Sequence, residues 1–220
     1  MTDSVPKVSV VITCHNLGRY LQEALDSVHR QSLQDYEIIV VDDASSEGET
    51  VEILKRIDAP RVRLIRVEKR SVSAARNSGI RESRGGYICC LDADDMLRTT
   101  FLEKTTAILD GEPDVGFAGC WCETFGEEKI VVRHGTFPTL VDFLGENHAP
   151  TSSLFRREAW EKAGGYEERL MGYEDWELWI NLMTHGYRCA IVQESSIGSG
   201  GIPRYIRPSA PRIAKNSWRS

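Results

Sequence analysis

The chain has 220 residues, of which 41% are hydrophobic, and a formal net charge of −6 at pH 7. That length suits one large domain or two small lobes around a sizeable core. The acidic balance argues against a nucleic-acid binder, which normally carries a basic excess, and no apolar run approaches the ~20 residues of a membrane span.

The amino terminus, MTDSVPK, leads directly into a strand-like segment, so no secretory leader is expected. "VSVVI" (8–12) is a short continuous apolar run, the signature of a strand covered on both faces. Tyr20, Leu21, Ala24, Leu25 and Val28 then recur at helical spacing. "YEIIVV" (36–41) is a second buried strand, 51–57 a helix, 62–67 a strand and 72–83 a helix. "YICCL" (87–91) is a strand and Phe101 to Leu109 a helix. Strands alternating with helices imply parallel pairing through crossover helices, a doubly wound α/β arrangement.

The second half is less regular. Residues 114–125 read as a strand, with 129–135 as its hairpin partner. One helix starts near Arg157 and stops at Gly164-Gly165, another runs from Glu174 to Gly186, and "CAIV" (189–192) is a last short strand. After Glu194 no acidic residue occurs, and Arg204, Arg207, Arg212, Lys215 and Arg219 share that segment with prolines, glycines and serines. Residues 195–220 are expected to form a flexible basic tail, or else a basic flap over an anionic substrate or membrane surface. The six cysteines contain no C-x-x-C pair, which argues for buried thiols in a reducing cytoplasm rather than zinc ligands.

In an open parallel sheet, ligands bind beyond the carboxyl ends of the strands. Thr13-Cys14-His15-Asn16 follows the first strand, Asp42-Asp43-Ala44-Ser45-Ser46 the second, and Asp92-Ala93-Asp94-Asp95 the 87–91 strand. A single Asp at such a place is usually a helix cap, and the plain alternative for Asp42-Asp43 is a turn with local capping through Ser45 and Ser46. Two acidic clusters on one edge are harder to explain that way, because packed like charges cost stability unless a cation offsets them. Mg2+ or Mn2+ suits such oxygen ligands and commonly bridges carboxylates to a substrate's phosphates. Neither a G-x-x-x-x-G-K-[ST] loop nor a G-x-G-x-x-G after the first strand is present.

The segments "VSVVITCHN", "ALDSVHRQS", "YEIIVVDDASSEGET", "SAARNSGIRESRGGYICCLDADD", "SSLFRREAWEKAGGYEERL" and "YEDWELWINL" occur in the order found in inverting glycosyltransferases of family 2. The chain resembles that family over nearly all of residues 7–183. The resemblance implies a GT-A fold: a doubly wound, mostly parallel central sheet flanked by helices, with a smaller acceptor-side lobe. It implies one domain, with a nucleotide-sugar half (7–110) and an acceptor half (111–194). It implies a nucleoside-diphosphate sugar donor, foremost a uridine diphosphate sugar, and a saccharide, lipid-linked or other hydroxyl acceptor.

Carried over residue by residue, the resemblance puts Thr13, His15 and Asn16 at the base and ribose, with His15 where relatives usually have an aromatic. Asp43 reads the base, with Asp42 beside it. Arg76 and Asn77 lie beside the diphosphate or ribose. Asp92 and Asp94 match the D-x-D element and Asp95 extends it, so Asp94 or Asp95 would ligate Mn2+ or Mg2+, with Asp92 in support. Glu174 and Asp175 match the acceptor-side acid pair, and Asp175 is the expected general base; a plain alternative is two acids at a helix N-terminus, complementing its dipole. Trp176 or Trp179 would stack on a sugar or pack the lobes together. Many relatives follow the last strand with a Tyr-Arg segment and a His; here 203–213 offers Tyr205 and Arg207 but no His. The reaction implied is a metal-assisted single displacement in polysaccharide synthesis, in the cytoplasm or at the inner membrane face. Two alternatives are a non-catalytic nucleotide-sugar binder and a sugar-phosphate nucleotidyltransferase; the latter should carry a Gly-rich basic loop that "TCHNLGRYL" lacks.

Overall fold

The computed structural model describes residues 4–124 and 131–199. Nine strands in that span form one sheet. They are β1 (Val8–Cys14), β2 (Tyr36–Asp43), β3 (Val62–Val67), β4 (Tyr87–Asp92), β5 (Asp95–Leu97), β6 (Val115–Thr124), β7 (Val131–Val132), β8 (Leu154–Arg156) and β9 (Arg188–Ser199). Seven helices cover it: α1 (Gly18–His29), α2 (Gly48–Lys55), α3 (Val72–Glu82), α4 (Phe101–Gly111), α5 (Leu140–Gly145), α6 (Arg157–Ala163) and α7 (Glu174–Thr184). The strand order is β3-β2-β1-β4-β8-β6-β9-β5, with β7 on β6. The first four of these pair in parallel, as their alternation with helices requires.

Every residue of β1 and β2 is buried, which accounts for their mostly apolar runs, with Ser9 and Glu37 hydrogen-bonded to each other. Because successive strand side chains point to opposite faces, Val8, Val10 and Ile12 pack with Leu21, Leu25 and Val28 of α1 and Phe101 and Leu102 of α4. Val11 packs on the other face, with Ala75 and Ile80 of α3 and Leu178 and Trp179 of α7. The result is a three-layer α/β/α domain. Gly79 lets α3 lie close on that second face: a Cβ there would come within 2.4 Å of Val11 Cγ1 and 2.7 Å of Val41 Cγ2.

The second half joins the same sheet through β8, which runs antiparallel to both β4 and β6. The 114–125 strand and its hairpin partner are present as β6 and β7, the latter only two residues long. α6 ends at Gly164 in the left-handed conformation (φ 84°), as the Gly-Gly pair indicated. β5, β8 and α5 have no counterpart in the sequence reading. β9 is longer than 189–192: residues 195–199, assigned to the tail, continue it to Ser199. Residues 200–220, with Tyr205, Arg207 and the basic positions, lie outside the described residues. Among the described residues no helix is long and apolar enough to cross a membrane. The six thiols are all free and buried; burial pushes Cys14 up to about 12 and Cys90 up to about 11.

Candidate active site

The parallel register brings the carboxyl ends of β1, β2 and β4 to one edge, pairing Cys14 with Asp42 and Thr13 with Asp92. β2 runs further than expected, so Asp42 and Asp43 are its last two residues rather than part of the loop. The two acidic clusters on this edge have different surroundings.

Asp43 is fully buried, and its carboxylate accepts backbone N–H groups from Lys69 (2.7 Å), Arg70 (2.9 Å) and Ser71 (2.9 Å). It thereby holds the turn into α3, where Arg70 adopts a left-handed φ of 51°. A carboxylate has about four acceptor positions, so one remains beyond these three. Asp42 accepts from the Ser45 amide at 2.9 Å and pairs with Arg66 at 2.5 Å; the local turn read from the sequence is present, with a cation added from β3.

The loop after β1 is equally committed. His15 Nδ1 lies 2.5 Å from the Asp43 carbonyl and its Nε2 lies 3.3 Å from Asn16 Nδ2. Only a protonated Nδ1 suits a carbonyl, leaving Nε2 as acceptor for the amide. Asn16, at a left-handed φ of 56°, accepts from the Ser46 and Glu47 amides at 2.9 Å each, tying the first loop to the second. His15 is 3% exposed, a ring packed into the protein rather than displayed as a stacking surface.

The β4 edge is more open. Asp92 ends β4, Ala93 and Asp94 form the turn, and Asp95 starts β5; the three carboxylate residues are all partly exposed. Asp92 Oδ1 accepts from Thr13 Oγ1 at 3.2 Å and from Arg76 Nη2 at 2.7 Å. Asp95 is fixed by its backbone pairing with Ser199 of β9.

Arg76, read from the resemblance as lying beside the diphosphate or ribose, has a side chain 0% exposed between two carboxylates, Asp92 and Glu174 (Nη1 to Oε1 2.9 Å). Burial works against its charge, but Asp92 and Glu174 overcome that and raise the guanidinium well above its ordinary value. Its Nε has no hydrogen-bond partner among the described residues, a cost of about 1–3 kcal/mol for a buried donor. Asn77 follows on the next position of α3. Its amide donates to the Tyr166 carbonyl (2.9 Å) and Glu168 (3.0 Å) and accepts from the Tyr166 amide (2.9 Å) and Trp160 Nε1 (3.3 Å). Those bonds lock α3 to the loop after α6 and leave Asn77 little capacity for a nucleotide.

The acid pair opens α7, whose N-cap Tyr173 has a left-handed φ of 60°. Glu174 is 1% exposed and faces Arg76. Asp175 Oδ2 accepts from Thr151 Oγ1 at 2.7 Å and Asn147 Nδ2 at 3.3 Å, and Oδ1 lies 2.9 Å from the Trp176 amide. Thr151 and Asn147 were missed by sequence reasoning; the polar run "ENHAPTSS" was their only signal. Trp179 is core, stacked on Phe117 at 4.7 Å, whereas half-buried Trp176 donates to the Phe143 carbonyl at 2.6 Å.

Asp94 and Asp95 supply the hard oxygen donors that Mn2+ or Mg2+ prefers. Among the described residues no three His, Cys, Asp or Glu side chains are grouped to hold a metal by themselves. A divalent cation with few protein ligands commonly completes its coordination with a substrate's phosphates.

A family model described as glycosyl transferase family 2 matches residues 9–178. An uncharacterised glycosyltransferase, EpsJ of Bacillus subtilis, is 36% identical over 174 residues, 72% of this chain and 50% of that one. The succinoglycan biosynthesis protein ExoO of Rhizobium meliloti is 29% identical over 93% of this chain and 65% of its own. Among solved structures, S. aureus TarS 1-349 in complex with UDP-GlcNAc superposes with a TM-score of 0.74 at 17% identity, over 88% of this chain and 58% of that one. The Pyrobaculum calidifontis mannosyltransferase in complex with GDP-Man and Mn2+ superposes at 0.70 and 21% identity, over 92% and 59%. These likenesses agree with a GT-A fold, and the chain spans only about half to two thirds of the length of these four proteins. The chain belongs to glycosyl transferase family 2.

Proposed function

We propose that this family 2 chain transfers a sugar from a nucleoside-diphosphate sugar, foremost a uridine diphosphate sugar, to an acceptor hydroxyl with inversion. The observation that carries the reading is the Arg76 bridge, which sets the acid pair of α7 one guanidinium away from the D-x-D edge of β4. One guanidinium thus ties Asp92 of the β4 edge to Glu174 of the acid pair. The neighbour bound to UDP-GlcNAc supports the donor class. The name of ExoO supports a saccharide or lipid-linked acceptor in polysaccharide synthesis. Residues 7–110 form the donor half and 111–194 the acceptor half.

In this reading the acceptor oxygen attacks the anomeric carbon from the face opposite the diphosphate. The bond from that carbon to the diphosphate oxygen breaks, and its electron pair leaves with the nucleoside diphosphate. The acceptor proton passes to Asp175, a step typically worth ~10²–10⁴-fold. Thr151 and Asn147 hold the Asp175 carboxylate, and the α7 N-terminus favours its ionised form. A weak base suffices because the hydroxyl becomes acidic only as the new bond forms. Asp94 and Asp95 would hold the divalent cation, which acts as a Lewis acid on the diphosphate. Asp43 retains one acceptor position for an imide N–H of the base, and Thr13 lies at the ribose end.

Asp175→Asn keeps the side-chain shape and removes the basicity. Turnover, read as release of uridine diphosphate from its sugar conjugate, should fall roughly 10²-fold or more, while the calorimetric affinity for uridine diphosphate stays within about 2-fold. Near-native turnover of Asp175→Asn would place the base elsewhere.

A further inference from the structure

We propose that Arg76 is a positioning residue that couples the two halves of the site: through Asp92 and Glu174 it fixes the distance between the donor diphosphate and the catalytic base, and it is not itself a ligand of the nucleotide. The inference rests on the glycosyl-transfer reading for its kinetic consequences but on geometry for its substance. Three residues far apart in sequence meet at one guanidinium: Arg76 on α3, Asp92 at the end of β4 and Glu174 at the start of α7. The side chain is wholly buried, and the Tyr166 ring closes over it at 5.5 Å. Both Nη atoms are engaged by protein carboxylates, so the planar fork reads two fixed oxygens rather than a mobile phosphate.

The two bonded oxygens belong to the two sides of the reaction. Asp92 Oδ1 is also held by Thr13 from β1, so it reports the position of the donor edge. Glu174 precedes Asp175 directly, and neighbours on a helix point ~100° apart. With Glu174 turned into Arg76, Asp175 is turned toward Thr151 and Asn147. Gly79 allows α3 to lie close on the sheet, so Arg76 has little freedom to move without either partner. A displacement of about 1 Å between reacting groups can cost ~10²-fold in rate, which is the scale on which such a tie acts.

The test compares Arg76→Lys, which keeps the charge but loses the fork, with Glu174→Gln and with the double variant. Uridine diphosphate with Mn2+ is the binding probe, and its release from its sugar conjugate is the turnover. We expect Arg76→Lys and Glu174→Gln each to bind the probe within about 3-fold of wild type while turnover falls roughly 30-fold or more, and the double variant to be little worse than either single one, because the residues act as a unit. A loss of probe affinity matching the loss of turnover in Arg76→Lys would make Arg76 a donor ligand and overturn the proposal. So would multiplicative effects in the double variant, or native turnover in Arg76→Lys. A wild type that neither binds the probe nor releases it from any conjugate counts against the glycosyl-transfer reading alone. Thermal unfolding of the same variants then decides: Glu174→Gln should cost less in the Arg76→Lys background than in wild type, and equal costs in both backgrounds would show that no coupling exists.

Discussion

The Asp42-Asp43 and Asp92–Asp95 clusters answer the same electrostatic problem in different ways. Both crowd carboxylates at the end of a parallel strand. The first is sealed: Asp42 and Asp43 are 3% and 0% exposed, three backbone amides converge on Asp43, and Arg66 sits on Asp42. The second is partly exposed, and Arg76, which pairs with its Asp92, is shared with Glu174. A cluster neutralised by the chain's own donors is chiefly structural, with at most a residual acceptor position to offer. A partly exposed cluster keeps surface that a substrate could reach, which is the premise of the proposed metal role.

The contrast predicts opposite responses to the same kind of substitution. Asp43→Ala removes the acceptor of three amides at once. With unsatisfied buried donors costing ~1–3 kcal/mol each, and the loop able to relax into water, the loss should be about 3 kcal/mol. That corresponds to roughly 6–12 °C in melting temperature. Asp94→Asn, one residue type in the more open cluster, should shift stability by less than ~1 kcal/mol, since relief of like-charge repulsion offsets what is lost. If Asp94→Asn destabilised the fold as much as Asp43→Ala, the two clusters would not differ in kind.

A smaller effect concerns the wall that carries the base. His134 and His148 meet at 3.1 Å through their Nδ1 atoms, and His148 adjoins Asn147, which holds Asp175. Burial, and then the neighbouring His148, lower the His134 pKa below its ordinary 6.5. The unfolded chain therefore binds this proton more readily than the native one. The His134 contribution is complete above pH 6.5 and declines as the pH falls through the lower native value. His134→Gln should flatten that slope in urea melts taken between pH 7.5 and 5, with the variants converging at low pH; an unchanged slope would assign the acid sensitivity to other groups.

The scaffold was legible wherever burial imposed a simple pattern. β1, β2 and β4 are largely apolar on both faces because helices cover both faces. The antiparallel insertion of β8 was not legible, since three residues, Leu154–Arg156, are too few to show a period. α5 is short, but Thr139 and Asp142 form a capping box that the spacing T-x-x-D announces. Among site residues, strand-end position and family resemblance found the acids but not their partners. Whether Asp43 meets three amides, or Arg76 meets Asp92 and Glu174, depends on elements 16 to 98 residues apart and on helix packing. Asn77 illustrates the consequence: the contacts of its amide to Tyr166, Glu168 and Trp160 could not be read from its motif.

The most direct test of the account is a calorimetric comparison of uridine diphosphate with uridine, each with and without Mn2+, on wild type, Asp94→Ala and Asp95→Ala. If the open cluster works through a cation shared with the diphosphate, Mn2+ should strengthen wild-type binding of the diphosphate about 10-fold or more and leave uridine unchanged. At least one of the two substitutions should abolish that gain without weakening uridine. Diphosphate binding that ignores Mn2+, or that both substitutions leave intact, would contradict the assignment of the β4 edge as the donor's metal site.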